Sequence, residues 1–114
     1  MAEEQLAIDV APSAECVTLR LIGEIDLLTA PLFREAGLAA TRLHAPSIRL
    51  DLSGVTFMDL TGLEALLAIR RRAVRDGVEF HLLVPRRNVT RVLEATRTAR
   101  LFTITRDESA QHVA

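Results

Sequence analysis

The sequence predicts one α/β domain in which a mixed sheet of four or five strands packs against about four helices. Short runs of alternating apolar residues, such as 48–52, predict strands, whereas apolar residues that return every three or four positions from Leu63 onward predict a helix. Two strands that flank a helix are expected to be parallel, with a right-handed crossover. The first two predicted strands are separated by a short turn, so they are expected to form an antiparallel hairpin.

Composition and charge narrow the class of protein. A chain of 114 residues, 49% hydrophobic and 25% charged, is typical of a single folded domain, here residues 1–114. The formal net charge of -1 provides no general attraction for nucleic acid or an anionic membrane, so neither is an expected partner. The single cysteine, Cys16, cannot form an internal disulfide and is interpreted as an inert thiol in a reducing cytoplasm. No secretory signal and no apolar stretch of membrane-spanning length is present, so a soluble cytoplasmic protein without membrane insertion is expected.

The N-terminal half is predicted to form a hairpin, a helix and a third strand. The hairpin strands are residues 6–10 and 17–22, and the chain is expected to leave the second strand at Gly23. Thr29, with Pro31 two positions later, predicts a helix start, and the helix extends to about residue 42. The third strand, 48–52, is expected to end in a Ser53–Gly54 turn.

The C-terminal half is predicted to alternate helices and strands. A helix covers residues 60–76, where Gly77 is placed to end it. A fourth strand over 78–84, a helix over 89–96 and a short fifth strand over 101–105 follow, with a frayed helical turn over 108–113.

The functional site is expected where the third strand meets the following helix, at residues 59–62. A strand's carboxyl end and a helix's amino end leave free N–H groups and a positive dipole facing solvent. Two helix caps are compatible with the sequence: Asp59 by itself, or Thr61 in a capping box that ends at Glu64. Four acidic residues fall at predicted loop positions: Glu24, Asp26, Asp51 and Asp59.

No motif for metal binding or catalysis is found. The three histidines, His44, His81 and His112, are too far apart in sequence to form a spaced ligand pair. Gly54 and Gly62 match neither phosphate-binding loop, and no serine or cysteine nucleophile has the required context. We therefore predict no metal, no cofactor and no catalytic residue. The alternative is an enzyme or nucleotide-binding protein that acts through Glu24, Asp26 and Asp59. Turnover or measurable nucleotide affinity of the purified chain would indicate it.

Arginines are concentrated in the C-terminal half of the 60–76 helix and after the fourth strand. They are Arg70, Arg71, Arg72, Arg75, Arg86, Arg87 and Arg91. One interpretation is that they solvate the helix and complement its dipole, and the other is a partner surface. Few aromatic residues accompany them, which argues against nucleic acid and favours solvation.

Two separated motifs resemble those of the STAS domain, a family named for sulfate transporters and anti-sigma factor antagonists. Residues 51–63, DLSGVTFMDLTGL, are similar to its signature, and GEID at 23–26 followed by TAP at 29–31 is similar to its element after strand two. The likeness in element order extends over about residues 5–110. It implies the STAS fold and, for stand-alone bacterial members, binding to an anti-sigma factor kinase that releases a sigma factor.

The resemblance also implies a phosphorylation switch at the residue after the motif's aspartate. In the family this residue is a serine or threonine that the kinase phosphorylates with ATP, which blocks binding until a phosphatase acts. Here it is Leu60, which is expected to be partly exposed and cannot be phosphorylated. Thr61, at the family's second hydroxyl position, is the remaining candidate, so the switch region is 59–62, which includes Asp59 and Gly62. The expected partner-binding residues are Glu24, Asp26, Leu60 and Glu64.

Two functions are therefore open. The first is an anti-sigma factor antagonist, monomeric or weakly dimeric, that is uncoupled from the usual phosphorylation. The second is a STAS scaffold or accessory subunit of a stress-signalling complex or membrane transport system, which Leu60 slightly favours because a scaffold needs no switch there. A transporter operon or a large native mass would indicate the second function.

Overall fold

The structure is a computed structural model, and it describes residues 5–84 and 87–106. Its elements in chain order are β1 (Leu6–Pro12), β2 (Cys16–Ile25), α1 (Ala30–Thr41), β3 (Ser47–Met58), α2 (Leu60–Arg75), β4 (Glu79–Leu83), α3 (Arg87–Ala95), a 3-10 turn (Ala99–Leu101) and β5 (Thr103–Thr105). The predicted mixed α/β sheet is confirmed, including its antiparallel N-terminal hairpin. The helical turn predicted at 108–113 lies outside the described residues.

The five strands form one sheet in the order β1-β2-β3-β4-β5, in which β2 to β5 are parallel. Each helix connects one parallel strand to the next strand along the sheet, always in the same direction. Because such connections are right-handed, α1, α2 and α3 all lie on the same face of the sheet. The parallel strands do not reverse their order, and such a reversal is where doubly wound folds bind nucleotides. The three helices also run parallel to one another, so their N-terminal ends all lie at the carboxyl edge of the sheet.

The core lies between the helices and one face of the sheet. Val17, Leu19 and Leu21 of β2 alternate with exposed or half-buried residues, as the predicted strand pattern requires. The helices contribute further fully buried side chains, of which Phe33 of α1 is the largest. Gly37 of α1 faces Ile69 of α2, and a Cβ at position 37 would lie 2.3 Å from the Ile69 Cδ1 atom. The two helices therefore pack in close contact.

Strands β2 and β3 are longer than predicted. The prediction of a turn at Ser53–Gly54 was wrong, because β3 continues through these residues to Met58. The pairing of β3 with β2 shifts its register here instead. The expectation that the chain leaves β2 at Gly23 was also wrong. Gly23 has φ of 125°, and a Cβ there would lie 2.1 Å from the Gln5 carbonyl oxygen, so glycine allows the N-terminal segment to pair closely while β2 continues to Ile25.

Asp51 was wrongly predicted to be a loop residue. It lies within β3, is only 7% exposed, and accepts hydrogen bonds from the Ser53 N–H at 2.9 Å and from Arg20 Nε at 3.4 Å. The carboxylate therefore has a structural role beside the bulge. Cys16, the first residue of β2, is half-buried.

Three of the arginines on α2 have structural partners, the longest contact being that of Arg75, whose Nε lies 3.9 Å from Asp76 Oδ1. Arg70 donates from Nε to the Leu101 carbonyl at 2.6 Å, and its guanidinium lies 6.0 Å from the centre of the Phe102 ring. Arg72 forms an ion pair with Asp76 at 3.0 Å, four residues along the chain. These contacts attach the 3-10 turn to α2 and close the helix end. Within the described ranges, no helix is both long and apolar enough to cross a membrane.

Candidate functional site

Asp59 is the N-cap of α2. It has an extended backbone, with φ of -107° and ψ of -169°, and its Oδ1 accepts from the Thr61 N–H at 3.0 Å and the Gly62 N–H at 3.1 Å. The same oxygen accepts from the Thr61 hydroxyl at 2.5 Å. Of the two predicted caps, Asp59 is the correct one. The capping box starting at Thr61 was wrong because Thr61 already lies within the first turn of the helix.

The hydrogen bonds that converge on Asp59 stabilise its charged form. The Thr61 hydroxyl, the largest contribution, and the two backbone N–H groups lower the pKa of Asp59 below its ordinary value of 3.8, while partial burial acts in the opposite direction. Asp59 is therefore ionised at neutral pH. A negative charge at this position also faces the positive end of the α2 dipole.

Replacing Asp59 with alanine is expected to lower the free energy of unfolding at pH 7 by about 1 kcal/mol, the typical cost of losing an N-cap. Asp59→Asn is the matched control, because it keeps an acceptor oxygen and removes the charge. Because the pKa of Asp59 is lower in the folded chain than in the unfolded chain, the ionised carboxylate stabilises the fold above about pH 4. This contribution is lost as the pH falls through the lowered pKa. Urea unfolding at pH 7 and in acid should show the gap between wild type and Asp59→Asn closing in acid. An equal gap at both pH values would contradict this role.

Gly62 allows α2 to begin directly on the sheet. It is buried, and a Cβ at this position would lie 2.8 Å from Ile25 Cγ2 and 2.9 Å from Met58 Cγ. The Asp59 N–H donates to the Ile25 carbonyl at 3.2 Å, which joins the helix start to the end of β2. The first turn of α2 is thus held on a rigid support.

Leu60, the first residue of α2, points away from this support. Its side chain is 62% exposed, as the sequence predicted for a partly buried residue. Two further leucines in the β2–α1 loop, Leu27 and Leu28, are 70% and 72% exposed. We call Leu27, Leu28 and Leu60 the leucine patch. Leu27 and Leu28 follow Ile25, which pairs with Met58, two residues before Leu60, so the three leucines belong to neighbouring strand ends. Exposed apolar side chains on adjoining segments of a folded domain indicate an interaction site.

Hydrogen bonds within the β2–α1 loop give it a defined shape. The Oδ1 of Asp26 accepts from the Leu28 N–H at 3.0 Å and from the Thr29 N–H at 3.2 Å. The Thr29 hydroxyl accepts from the Asp26 N–H at 2.9 Å and donates to the Glu24 carbonyl at 2.8 Å. The predicted helix start is confirmed, with Thr29 as N-cap and proline in the first turn. Asp26 caps the turn before α1 and not α1 itself.

The structure brings the predicted partner-binding residues to neighbouring strand ends. Ile25 pairs with Met58, so Glu24 and Asp26 on one chain segment lie beside Asp59 and the start of α2 on the next. Glu24 and Glu64 are exposed, and Asp26 is half-exposed. The leucine patch is therefore accompanied by acidic side chains. Among residues 5–84 and 87–106, no three His, Cys, Asp or Glu side chains converge in a geometry that could hold a metal ion.

Leu27 and Leu28 were missed by the sequence analysis, which assigned no role to them. The available signal was a pair of leucines between two polar turn residues, Asp26 and Thr29, where a solvated loop would normally be polar. Leu27 also lies at one end of a groove of about 740 Å³ between α1 and α2. Its walls are formed by Leu27, Ala30, Pro31, Arg34, Glu35, Leu38, Thr61, Glu64, Ala65, Leu67, Ala68 and Arg71.

Comparison with known proteins identifies the family. The sequence matches the STAS domain over residues 7–111. The chain belongs to the STAS domain family. Solved structures of other proteins share its fold. An anti-sigma factor antagonist from Mycobacterium paratuberculosis superimposes with a TM-score of 0.80 at 24% identity, over 95% of this chain and 93% of that one. A putative anti-sigma factor antagonist from Thermotoga maritima gives 0.76 at 25% identity, over 93% of both chains.

A relative from Mycobacterium tuberculosis is more similar in sequence. The anti-sigma-F factor antagonist RsfB is 31% identical over 110 residues, which cover 93% of this chain and 88% of RsfB. The resemblance first seen in the two motifs of this STAS protein therefore extends over nearly its whole length.

Proposed function

We propose that this STAS protein is an anti-sigma factor antagonist, a binding module and not an enzyme, that acts in the cytoplasm. It binds an anti-sigma factor of the serine-kinase type and so frees a sigma factor. The observation that carries the proposal is Leu60, exposed at the start of α2 and held there by the Asp59 cap and the packing of Gly62. The relationship to RsfB supports the class of partner.

The binding surface combines the leucine patch with the acidic residues Glu24, Asp26 and Glu64. Apolar side chains supply most of the favourable free energy when they enter a pocket on a partner. Acidic residues around them select a partner whose pocket has a basic rim, because mismatched charges at an interface are costly. Incubating the tagged chain with histidine-kinase-like anti-sigma proteins from the same genome tests the proposal. Retention of one of them supports it, and failure to retain any of them rejects it.

We further propose that binding is not controlled by phosphorylation at the start of α2. Leu60 has no hydroxyl, and the hydroxyl of Thr61 donates to the ionised Asp59 carboxylate at 2.5 Å. A phosphate on Thr61 would place close to two negative charges beside that carboxylate and break its hydrogen bond. Thr61 thus stabilises the cap and is a poor phosphate acceptor.

Intact-mass spectrometry after incubation with ATP and the cognate kinase should show no phosphate on the wild-type chain. Leu60→Ser, which restores a hydroxyl at the exposed position, is expected to gain one phosphate and then to lose affinity for the kinase. Leu60→Ala is the matched control, because it removes the leucine without adding a hydroxyl. A phosphate on wild type that disappears in Thr61→Ala would contradict the proposal and relocate the switch to Thr61.

A further inference from the structure

The α2 wall of the groove carries a regular stripe of four residues. Glu64, Leu67, Ala68 and Arg71 follow spacings of three, one and three, which places them on one face of the helix. Glu64 and Arg71 at the two ends are exposed, and Leu67 and Ala68 in the middle are half-buried. The stripe therefore has an apolar centre and one charge of each sign at equal distances from it.

Neither end charge has a counter-ion among the residues that the structure describes. Across residues 5–84 and 87–106, no ion pair within 4.0 Å involves Glu64 or Arg71, nor Arg34 and Glu35 on the opposite wall. Glu64 and Arg71 cannot pair with each other, because seven residues of helix separate them by about 10 Å. Their charges are thus available to a neighbouring molecule.

The pattern is complementary to itself. If a second copy lays its α2 antiparallel on this one and crosses at Leu67 and Ala68, Glu64 of each copy comes level with Arg71 of the other. A twofold contact of this kind always pairs one surface with the same surface, so it needs such a self-complementary arrangement. Ala68 at the crossing point lets the helix axes approach closely. We propose that a second copy of this chain covers the α1–α2 groove and forms a weak twofold dimer.

Dimer formation would compete with partner binding. In the antiparallel arrangement Val74, which is 57% exposed, lies level with Thr61 of the other copy, so the start of α2 is covered. This consequence rests on the proposed function, whereas the dimer itself does not. The competition would supply the protein with a concentration-dependent control in place of phosphorylation at Leu60.

Sedimentation equilibrium of the full chain tests the dimer with single charge reversals. Wild type is expected to dimerise with a dissociation constant between about 10 μM and 1 mM, as small interfaces do. Glu64→Arg and Arg71→Glu should each raise that constant at least about tenfold, because both symmetric pairs become repulsive. Mixing the two variants should restore dimers, since each variant then faces opposite charges on the other. Arg91→Glu on α3, an exposed arginine away from the groove, is the control and should behave as wild type.

Each outcome decides the proposal. Loss of dimer in both single variants with recovery in the mixture supports it, because only a twofold α2 contact pairs these two residues across copies. A wild-type chain that stays monomeric at about 1 mM overturns it, even if a partner's segment is then found in the groove. A wild-type dimer whose dissociation constant is unchanged by both charge reversals also overturns the proposal. None of these results depends on whether an anti-sigma factor binds.

Discussion

Leu60→Asp is expected to weaken binding to the anti-sigma factor by about 100-fold or more, the size of effect seen at central interface residues. The side chain is 62% exposed in the free protein, so the substitution should leave the fold intact. In the complex it would bury a carboxylate in a pocket shaped for an apolar group and would add charge among Glu24, Asp26 and Asp59. Isothermal titration calorimetry with the purified anti-sigma factor measures the change.

Leu43→Asp is the matched control for this measurement. Leu43 is 54% exposed and follows α1, at the opposite end of the parallel helices from the start of α2. The same chemical change there should alter affinity by less than about twofold, because the residue lies far from the proposed interface. Equal losses in the two variants, or no loss in Leu60→Asp, would show that the partner binds elsewhere.

Phe33→Ala is expected to have the largest effect on stability. Phe33 is fully buried on α1, at the centre of the core. Truncating a buried phenylalanine removes its transfer free energy and leaves a cavity, which together cost about 3–5 kcal/mol. A domain of this size is typically stable by about 5–15 kcal/mol, so the variant should unfold at much lower urea concentration or fail to fold at 37 °C.

The adjacent residue supplies the control for Phe33. Leu32 is 55% exposed, so Leu32→Ala should change the free energy of unfolding by less than about 0.5 kcal/mol. Urea titrations of both variants measure the difference. The slope of the unfolding free energy against urea concentration is compared with that of wild type. Similar midpoints for the two variants would show that α1 does not pack on the sheet through Phe33.

Apolar periodicity predicted the order of the five strands and of α1, α2 and α3 correctly, because the alternation in β2 and the helical spacing in α2 follow directly from which face is buried. It could not predict how far β2 and β3 extend. Ser53–Gly54 has the composition of a turn, but the register of β3 beside β2 decides whether a bulge or a turn forms. At Gly23 the deciding feature is a close approach to Gln5, a long-range contact that local sequence does not report.

The candidate site shows the same limit at the level of single side chains. Asp59 and Thr61 both fit a helix cap by sequence, and the extended backbone at Asp59 selects the aspartate. The switch position was predicted from the motif, and Leu60 is exposed there as expected. Two adjacent leucines between Asp26 and Thr29 were a local signal of an exposed apolar loop, but the hydrogen bonds from the Leu28 and Thr29 N–H groups to Asp26 that shape the loop are evident only in the structure.

Hydrogen exchange followed by mass spectrometry, on the free chain and on its complex with the anti-sigma factor, tests the central claim most directly. We expect slower exchange in the complex at residues 24–28 and 59–64, the two segments that carry the leucine patch and its acidic neighbours. Exchange at residues 18 and 20, whose side chains lie on the sheet face opposite the helices, should be unchanged. Protection confined to that face, with the start of α2 exchanging as in the free chain, would contradict the account.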